Sequence, residues 1–406
     1  MHNLKINIKS ILEYIIAFCI VLECESIWKW QVDYGNKFKI VLFLILVISI
    51  FAILIIKSRS RQLLKIKKSF INVILIPIAV YLMFFIFINI NNIRNVIMFS
   101  TISILILLYQ HCIISEGEKY RLLRKISNIV VIIAAISLII FVSSSVIKIV
   151  TPNVSIVVER NGLQQIIKGY FNFYYESQKE VAFGIDMYRN TSIFYEAPKY
   201  SLILCIALFY EMFFRENCKK NNIIILIMTI LTTFSMNGII LMTILVVIKL
   251  MMKLEGFFKS KILMVICLII LVFTIGRFIN NMLEIKSSTT SYSDRIDDYV
   301  AGYKAWMENP LIGNGYGNNE VIKKYMSSFR KNNIGFSNSI FRVLAQGGVY
   351  LFSLYIIPCF ICLFRGIKQR NKIQCLLSFL FIFLFITTSF PYNYIAIYLV
   401  SIMLLE

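Results

Sequence analysis

Apolar residues run nearly unbroken for about twenty positions at a time along most of this chain, separated by short stretches rich in Lys, Arg and Asn. Runs of that length predict membrane-spanning helices, because a helix rising ~1.5 Å per residue needs about twenty residues to cross the hydrocarbon core. They fall near 11–27, 40–56, 70–88, 96–114, 128–147, 192–213, 222–236, 238–252, 262–280, 338–363, 374–388 and 391–404. The expected fold is all-α, a polytopic membrane bundle of about twelve helices forming one transmembrane domain over residues 1–406. A barrel would alternate apolar and polar positions over about ten residues, and these runs do not. The first run lacks a small-residue cleavage site and reads as a retained helix.

Two connections are long, 148–191 and 281–337. Loops of that length usually carry function. Within the second, Ile296, Tyr299, Val300, Tyr303, Trp306 and Met307 recur at three- and four-residue spacing, with Asp294, Asp297, Asp298 and Lys304 mostly on other faces. This predicts an amphipathic helix capped by Ser293, ended at Asn309-Pro310, and lying at the membrane interface.

Composition agrees with this reading: 59% of the 406 residues are hydrophobic and the mean hydropathy is +0.77, against about 45–50% apolar content in soluble domains. The net charge of +21 would suit a nucleic-acid partner, but its distribution excludes one. Counting alternate connections, 23 Lys and Arg residues fall on one side of the membrane, and only Lys29, Lys37, Lys39 and Arg94 in the short loops of the other. The positive-inside rule then makes both termini cytoplasmic and both long loops extracytoplasmic, with the basic flanks facing lipid headgroups. The nine cysteines lie mostly within apolar runs, and Cys359 and Cys362 read as helix filler.

Several polar groups stand where lipid would penalise them. Arg189, Glu196 and Lys199 cluster at the entrance to the sixth run, and Arg342 lies one turn inside the run that follows Ser337. Charges at that depth need a partner or a polar cavity. Glu196 and Lys199 also have the spacing to pair on one helical face. Gly313, Gly315 and Gly317 form a flexible turn that either returns the chain to the membrane or offers N–H groups to an anion or sugar. A dinucleotide site is excluded, since no strand precedes the glycines.

The segments RNTSIFYEAPKYSLIL, SDRIDDYVAGYKAWMENPLIGNGYGN and FSNSIFRVLAQGGVYLFSLYI, in that order, resemble the O-antigen ligase and polymerase superfamily, most nearly the Wzy-type polymerases of O-antigen and capsular polysaccharide. Arg189, Glu196 and Pro198 match one family element; Arg295, Trp306, Asn309-Pro310, Gly313 and Gly315 match a second; Asn338, Leu344, Ala345 and Gly347 match a third. Where ligases usually show His before that Asn, this chain has Ser337, and its only histidines are His2 and His111.

The resemblance implies a GT-C-like membrane glycosyltransferase of the bacterial inner membrane. It would transfer a growing glycan from undecaprenyl pyrophosphate to a hydroxyl of another lipid-linked repeat unit. Arg189, Arg295 and Arg342, with Lys199, would hold the pyrophosphate; Glu196, or else Asp294, would take the hydroxyl proton; Gly313, Gly315, Gly317 and Asn338 would position phosphate or sugar. No cofactor is implied. Asp294, Asp297 and Asp298 supply oxygen atoms suited to Mg²⁺, but pairing with neighbouring Arg295 is the simpler use of them. Implied partners are the lipid-linked oligosaccharide, membrane lipids, a chain-length regulator and a flippase. The alternatives are a flippase-type transporter of the same lipid, and an O-antigen ligase.

Overall fold

Residues 8–59, 70–160, 163–182, 185–217, 219–254, 290–330 and 335–405 are described by a computed structural model. Helices α1 (Ile8–Glu23), α2 (Gly35–Arg59), α3 (Ile76–Ile88), α4 (Ile93–Ile114) and α5 (Arg121–Phe141) precede the first long connection. Helices α6 (Ala197–Phe213), α7 (Lys220–Thr232) and α8 (Met236–Leu254) follow it; α9 (Thr290–Glu308) and α10 (Glu320–Lys323) lie in the second; α11 (Ser339–Lys368), α12 (Lys372–Thr387) and α13 (Tyr394–Leu405) close the bundle.

Among the described residues, six helical segments are long and apolar enough to cross a membrane: Gly35–Lys57, Ile71–Ile88, Ile90–Ile114, Arg121–Val146, Met236–Lys253 and Ser339–Lys368. The expected run at 262–280 lies outside the described residues. Others of the twelve expected spans form shorter helices, α7, α12 and α13 having 13, 16 and 12 residues, or ~18–24 Å of rise. Helix α6 is the centre: every side chain from Tyr200 to Phe213 is buried, as an all-round apolar helix requires. Gly238 lets α8 approach it, since a Cβ there would stand 2.6 Å from the Ser201 Cβ.

The two ends of the bundle differ. At one, Glu116 gathers Lys9 (2.6 Å), Lys57 (3.0 Å) and Arg121 (2.5 Å), and Glu13 pairs with Arg121 and Lys125. These cations come from the heavily basic set of connections. Burial works against the charge on Glu116, but Lys9 and Lys57 override it and hold the carboxyl at about 2. At the other end, residues 24–34, both long connections and the α12–α13 turn meet.

The first long connection departs from an all-helical expectation. Strands β1 (Val154–Arg160), β2 (Leu163–Tyr170) and β3 (Tyr174–Tyr175) form an antiparallel sheet, and β4 (Lys179–Ala182) pairs with β5 (Ile185–Tyr188). Ile156, Val158 and Ile167 bury one face against Ile27, Tyr175 and Tyr195. Bridges Gln31↔Val158 and Ser26↔Phe194 fasten this layer to the α1–α2 connection.

Helix α9 forms as expected, although it runs from Thr290, so Ser293 lies inside it. Its burial is inverted relative to a soluble helix. Asp298 (1% exposed), Asp297, Ala301 and Ala305 face the protein, while Ile296 (49%), Tyr303 (48%) and Met307 (51%) face outward. The polar face is accommodated because Arg330, itself buried, donates to Asp298, whose second oxygen accepts from the N–H and hydroxyl of Ser337. Arg330, not Arg295, is thus the cation serving Asp294, Asp297 and Asp298.

The glycine turn is spliced into a break in α11. Gly313, Gly315 and Gly317 all take positive φ, as does Gly348 at +60° within the helix. Where α11 breaks, the N–H groups of Asn314 and Gly315 donate to the Ala345 and Gln346 carbonyls (both 3.0 Å), and those of Val349 and Tyr350 donate to Pro310 and Leu311 (both 2.9 Å). The turn therefore satisfies polar backbone that lipid could not. The Gly313 N–H is likewise engaged, by Asn309 O.

Candidate active site

Where both long connections converge, a cavity of about 400 Å³ opens among Glu23, Glu25, Trp30, Glu196, Lys199, Arg342 and Tyr392, with further walls from Lys29, Lys39, Tyr195, Tyr316 and Asn319. It thus collects residues from α1, its following connection, the start of α6, the glycine turn, α11 and the α12–α13 turn.

α6 starts at Ala197 with Pro198 in its first turn, placing Glu196 at the N-cap in extended conformation with no side-chain cap bond, and Lys199 in that first turn. Lys199 does not turn to Glu196. Its ammonium donates to the Ser389 carbonyl, and Arg342 Nη1 donates to the Ser389 hydroxyl at 2.9 Å. The Arg342 guanidinium also stands 5.5 Å from the Tyr392 ring centroid, while its buried Nε finds no partner. Among the described residues no carboxylate forms an ion pair with Lys199, Arg295 or Arg342. Two cations drawn together at a membrane entrance favour an anion between them.

The facing wall is acidic but internally compensated. Lys29 donates to the Glu23 carboxylate (2.7 Å) and approaches Glu25 (3.4 Å); Glu25 also accepts from Trp30 Nε1 (2.9 Å). Burial pushes the Glu25 carboxyl upward, but Lys29, then Lys199 and Arg342, prevail and hold it at about 2. Glu25 is thus ionised and within electrostatic reach of both cavity cations.

Arg189 and Arg295 do not line this cavity. They form an adjacent group: Arg189 Nε donates to the Thr233 carbonyl (2.8 Å), and Arg295 Nη1 to Asn237 Oδ1 (3.0 Å). Burial lowers the proton affinity of both guanidiniums, and on Arg189 the charge of Arg295 adds to that. Glu180 lies 3.7 Å from Arg189. Asn237 in turn donates to Thr387 O, two residues from Ser389, so the α12–α13 turn connects the two groups of cations.

The remaining expected residues sit in supporting positions. Asn338 caps α11 by accepting from Phe341 N–H (2.9 Å) and leaves its buried Nδ2 without a partner. Asp294 approaches Arg330 at 3.6 Å. Gly313 and Gly315 shape the turn that carries Tyr316 into the cavity; Gly317 takes φ +74° beside Asn92. Glu23, Glu25, Trp30, Ser389 and Tyr392 were not anticipated. The sequence signals for them are the acidic and aromatic stretch ECESIWKW at 23–30 and the polar break TSFPYN at 388–393 between two apolar runs.

A bundle of apolar helices, six of them long and apolar enough among the described residues to cross a membrane, with a charged cavity where its longest connections meet, is the architecture of a polytopic membrane protein. Residues 222–356 match the family model for O-antigen ligase, in keeping with the resemblance to the O-antigen ligase and polymerase superfamily. The matched segment holds Arg295, the glycine turn, Asn338 and Arg342. No curated protein matches the chain.

Proposed function

We propose that this protein is a polysaccharide polymerase of the bacterial inner membrane, acting on its outer side, with both termini in the cytoplasm. The bond between sugar C1 and the undecaprenyl pyrophosphate oxygen breaks. A hydroxyl oxygen of a second lipid-linked repeat unit bonds to C1, its proton passes to a carboxylate, and undecaprenyl pyrophosphate departs. Arg342 and Lys199 hold the pyrophosphate in the cavity, Arg189 and Arg295 extend that positive surface, and Glu196 accepts the proton. The reading rests on one observation: two cations that form no carboxylate ion pair among the described residues converge on Ser389 and line one cavity with Glu196 and Glu25. Preorganised charge of this kind stabilises a departing pyrophosphate.

The test is extension of purified lipid-linked repeat units by the purified protein, with and without chelator. Polymer from this protein alone supports the reading; no polymer from intact, folded protein supplied with its native repeat unit overturns it. A ligase is the second reading, favoured by the name of the matched family model. Transfer to lipid A core in place of a second repeat unit would select it. Against it, the one histidine among the described residues, His111, stacks on Phe70 (3.6 Å between centroids), next to Cys112 whose carbonyl accepts from Lys57. That is the end remote from the cavity.

A further inference from the structure

The acidic wall of the cavity carries a second arrangement that the pyrophosphate reading does not use. Trp30 ends a short 3-10 turn, Ile27–Trp30, and is 37% exposed although it lines the cavity. Its indole N–H is fixed by Glu25 Oε2 (2.9 Å), and its ring lies 5.6 Å from that of Tyr195, tilted by 35°. Glu25 holds positive φ (+63°), a strained conformation for a non-glycine residue. That strained residue organises its surroundings twice, because its carbonyl accepts from Tyr195 N–H while its side chain orients Trp30. Lys29 keeps the Glu25 carboxylate ionised from behind.

The indole has its polar edge engaged by Glu25, Tyr195 beside its ring and the Lys39 ammonium 6.0 Å from its centroid; its exposed part offers C–H surface, and the ionised carboxylate beside it accepts hydrogen bonds from hydroxyls. Pyranose rings present that combination: C–H groups over one face and hydroxyls around the edge. Phosphate does not, since Glu25 would repel it. The cavity wall is therefore mixed: Arg342 and Lys199 meet at Ser389, while Glu25 and Trp30 stand together with Lys29 and Lys39 beside them.

We propose that Trp30, backed by Tyr195 and flanked by Glu25, forms a sugar subsite that receives the pyranose joined to a lipid pyrophosphate held at Arg342 and Lys199. This rests on the proposed function and assigns it a glycan-reading wall on the α1–α2 connection.

The experiment compares binding of two probes to purified protein in nanodiscs: undecaprenyl pyrophosphate, and the same lipid carrying one N-acetylhexosamine. Wild type should prefer the sugar-bearing lipid. W30A should lose about tenfold of that preference, while its affinity for the sugar-free lipid stays within about twofold of wild type. W30F, which retains a ring, should recover most of the loss, and matched melting temperatures would establish that both variants fold. If W30A keeps the wild-type preference, or weakens both probes equally, the subsite is overturned while the pyrophosphate site stands. If wild type binds neither probe, both fall.

Discussion

Lys199 and Arg342 reach the same residue from different helices, the first donating to the Ser389 carbonyl and the second to its hydroxyl. That shared anchor draws the first turn of α6 and the first turn of α11 to one side of the cavity and leaves the remaining donors of both cations for an incoming anion.

Removing one such donor should impair turnover far more than folding. R342A is expected to lower polymer extension by about 10²–10³, with little change in melting temperature. R342K should recover only part, because an ammonium lacks the planar fork of a guanidinium. Single-turnover extension on gels, beside thermal unfolding in detergent, checks both.

Glu25 gives a pH signature. Its carboxyl lies near 2 in the folded protein against an ordinary value of 4.5. A depressed folded-state value means that its contribution to stability is complete above the unfolded value and disappears as pH falls through the folded one. The melting-temperature gap between wild type and E25Q should be flat above about pH 4.5 and close toward pH 2. A gap that widened on acidification would contradict the placement of Glu25 among Lys29, Lys199 and Arg342.

The break in α11 predicts unequal costs for one substitution at two glycines. Gly117 takes φ +84° with open space around its missing Cβ, whereas a Cβ on Gly348 would strike the Leu311 backbone. G117A should cost about 1–2 kcal/mol from conformation alone. G348A adds steric overlap, for a total of about 3–5 kcal/mol. Denaturant titration of the two variants separates the effects.

On the buried face of α9, R330M leaves Asp298 without its cation, at an expected cost of about 3–5 kcal/mol. Burial already raises the Asp298 carboxyl above its ordinary 3.8. The folded state of the variant therefore resists deprotonation, and its deficit should shrink as pH falls and Asp298 takes up a proton. Adding D298N should recover part of the loss at neutral pH. Unfolding measured at pH 4 and pH 7 tests this.

Much of this was legible along the chain. Run length located the helices because lipid demands about twenty apolar residues whatever the tertiary packing, and period located α9 because one face must differ from the other. What escaped was mostly local chemistry of another kind. The β1–β2 hairpin has its own signature, β-branched alternation around Asn161-Gly162, masked by expecting helices and loops only. Which way α9 faced was legible only in part, since burying Asp298 depends on Arg330, 32 residues away. Lys199 and Arg342 stood out as charges next to lipid, but their meeting at Ser389 joins positions with no sequence pattern between them. Glu25 falls within the expected run 11–27 and Trp30 just beyond it, because α1 ends at Glu23, before the apolar pattern does.

The four backbone hydrogen bonds between residues 310–315 and 345–350 have a mechanical result. Tyr316 rides on one strip and Arg342 stands just before the other, so these two parts of the cavity wall behave as one jaw. A group that pushes on the tyrosine also shifts the helix that holds the guanidinium, and the fit of one part of a bulky substrate is felt where another part is gripped.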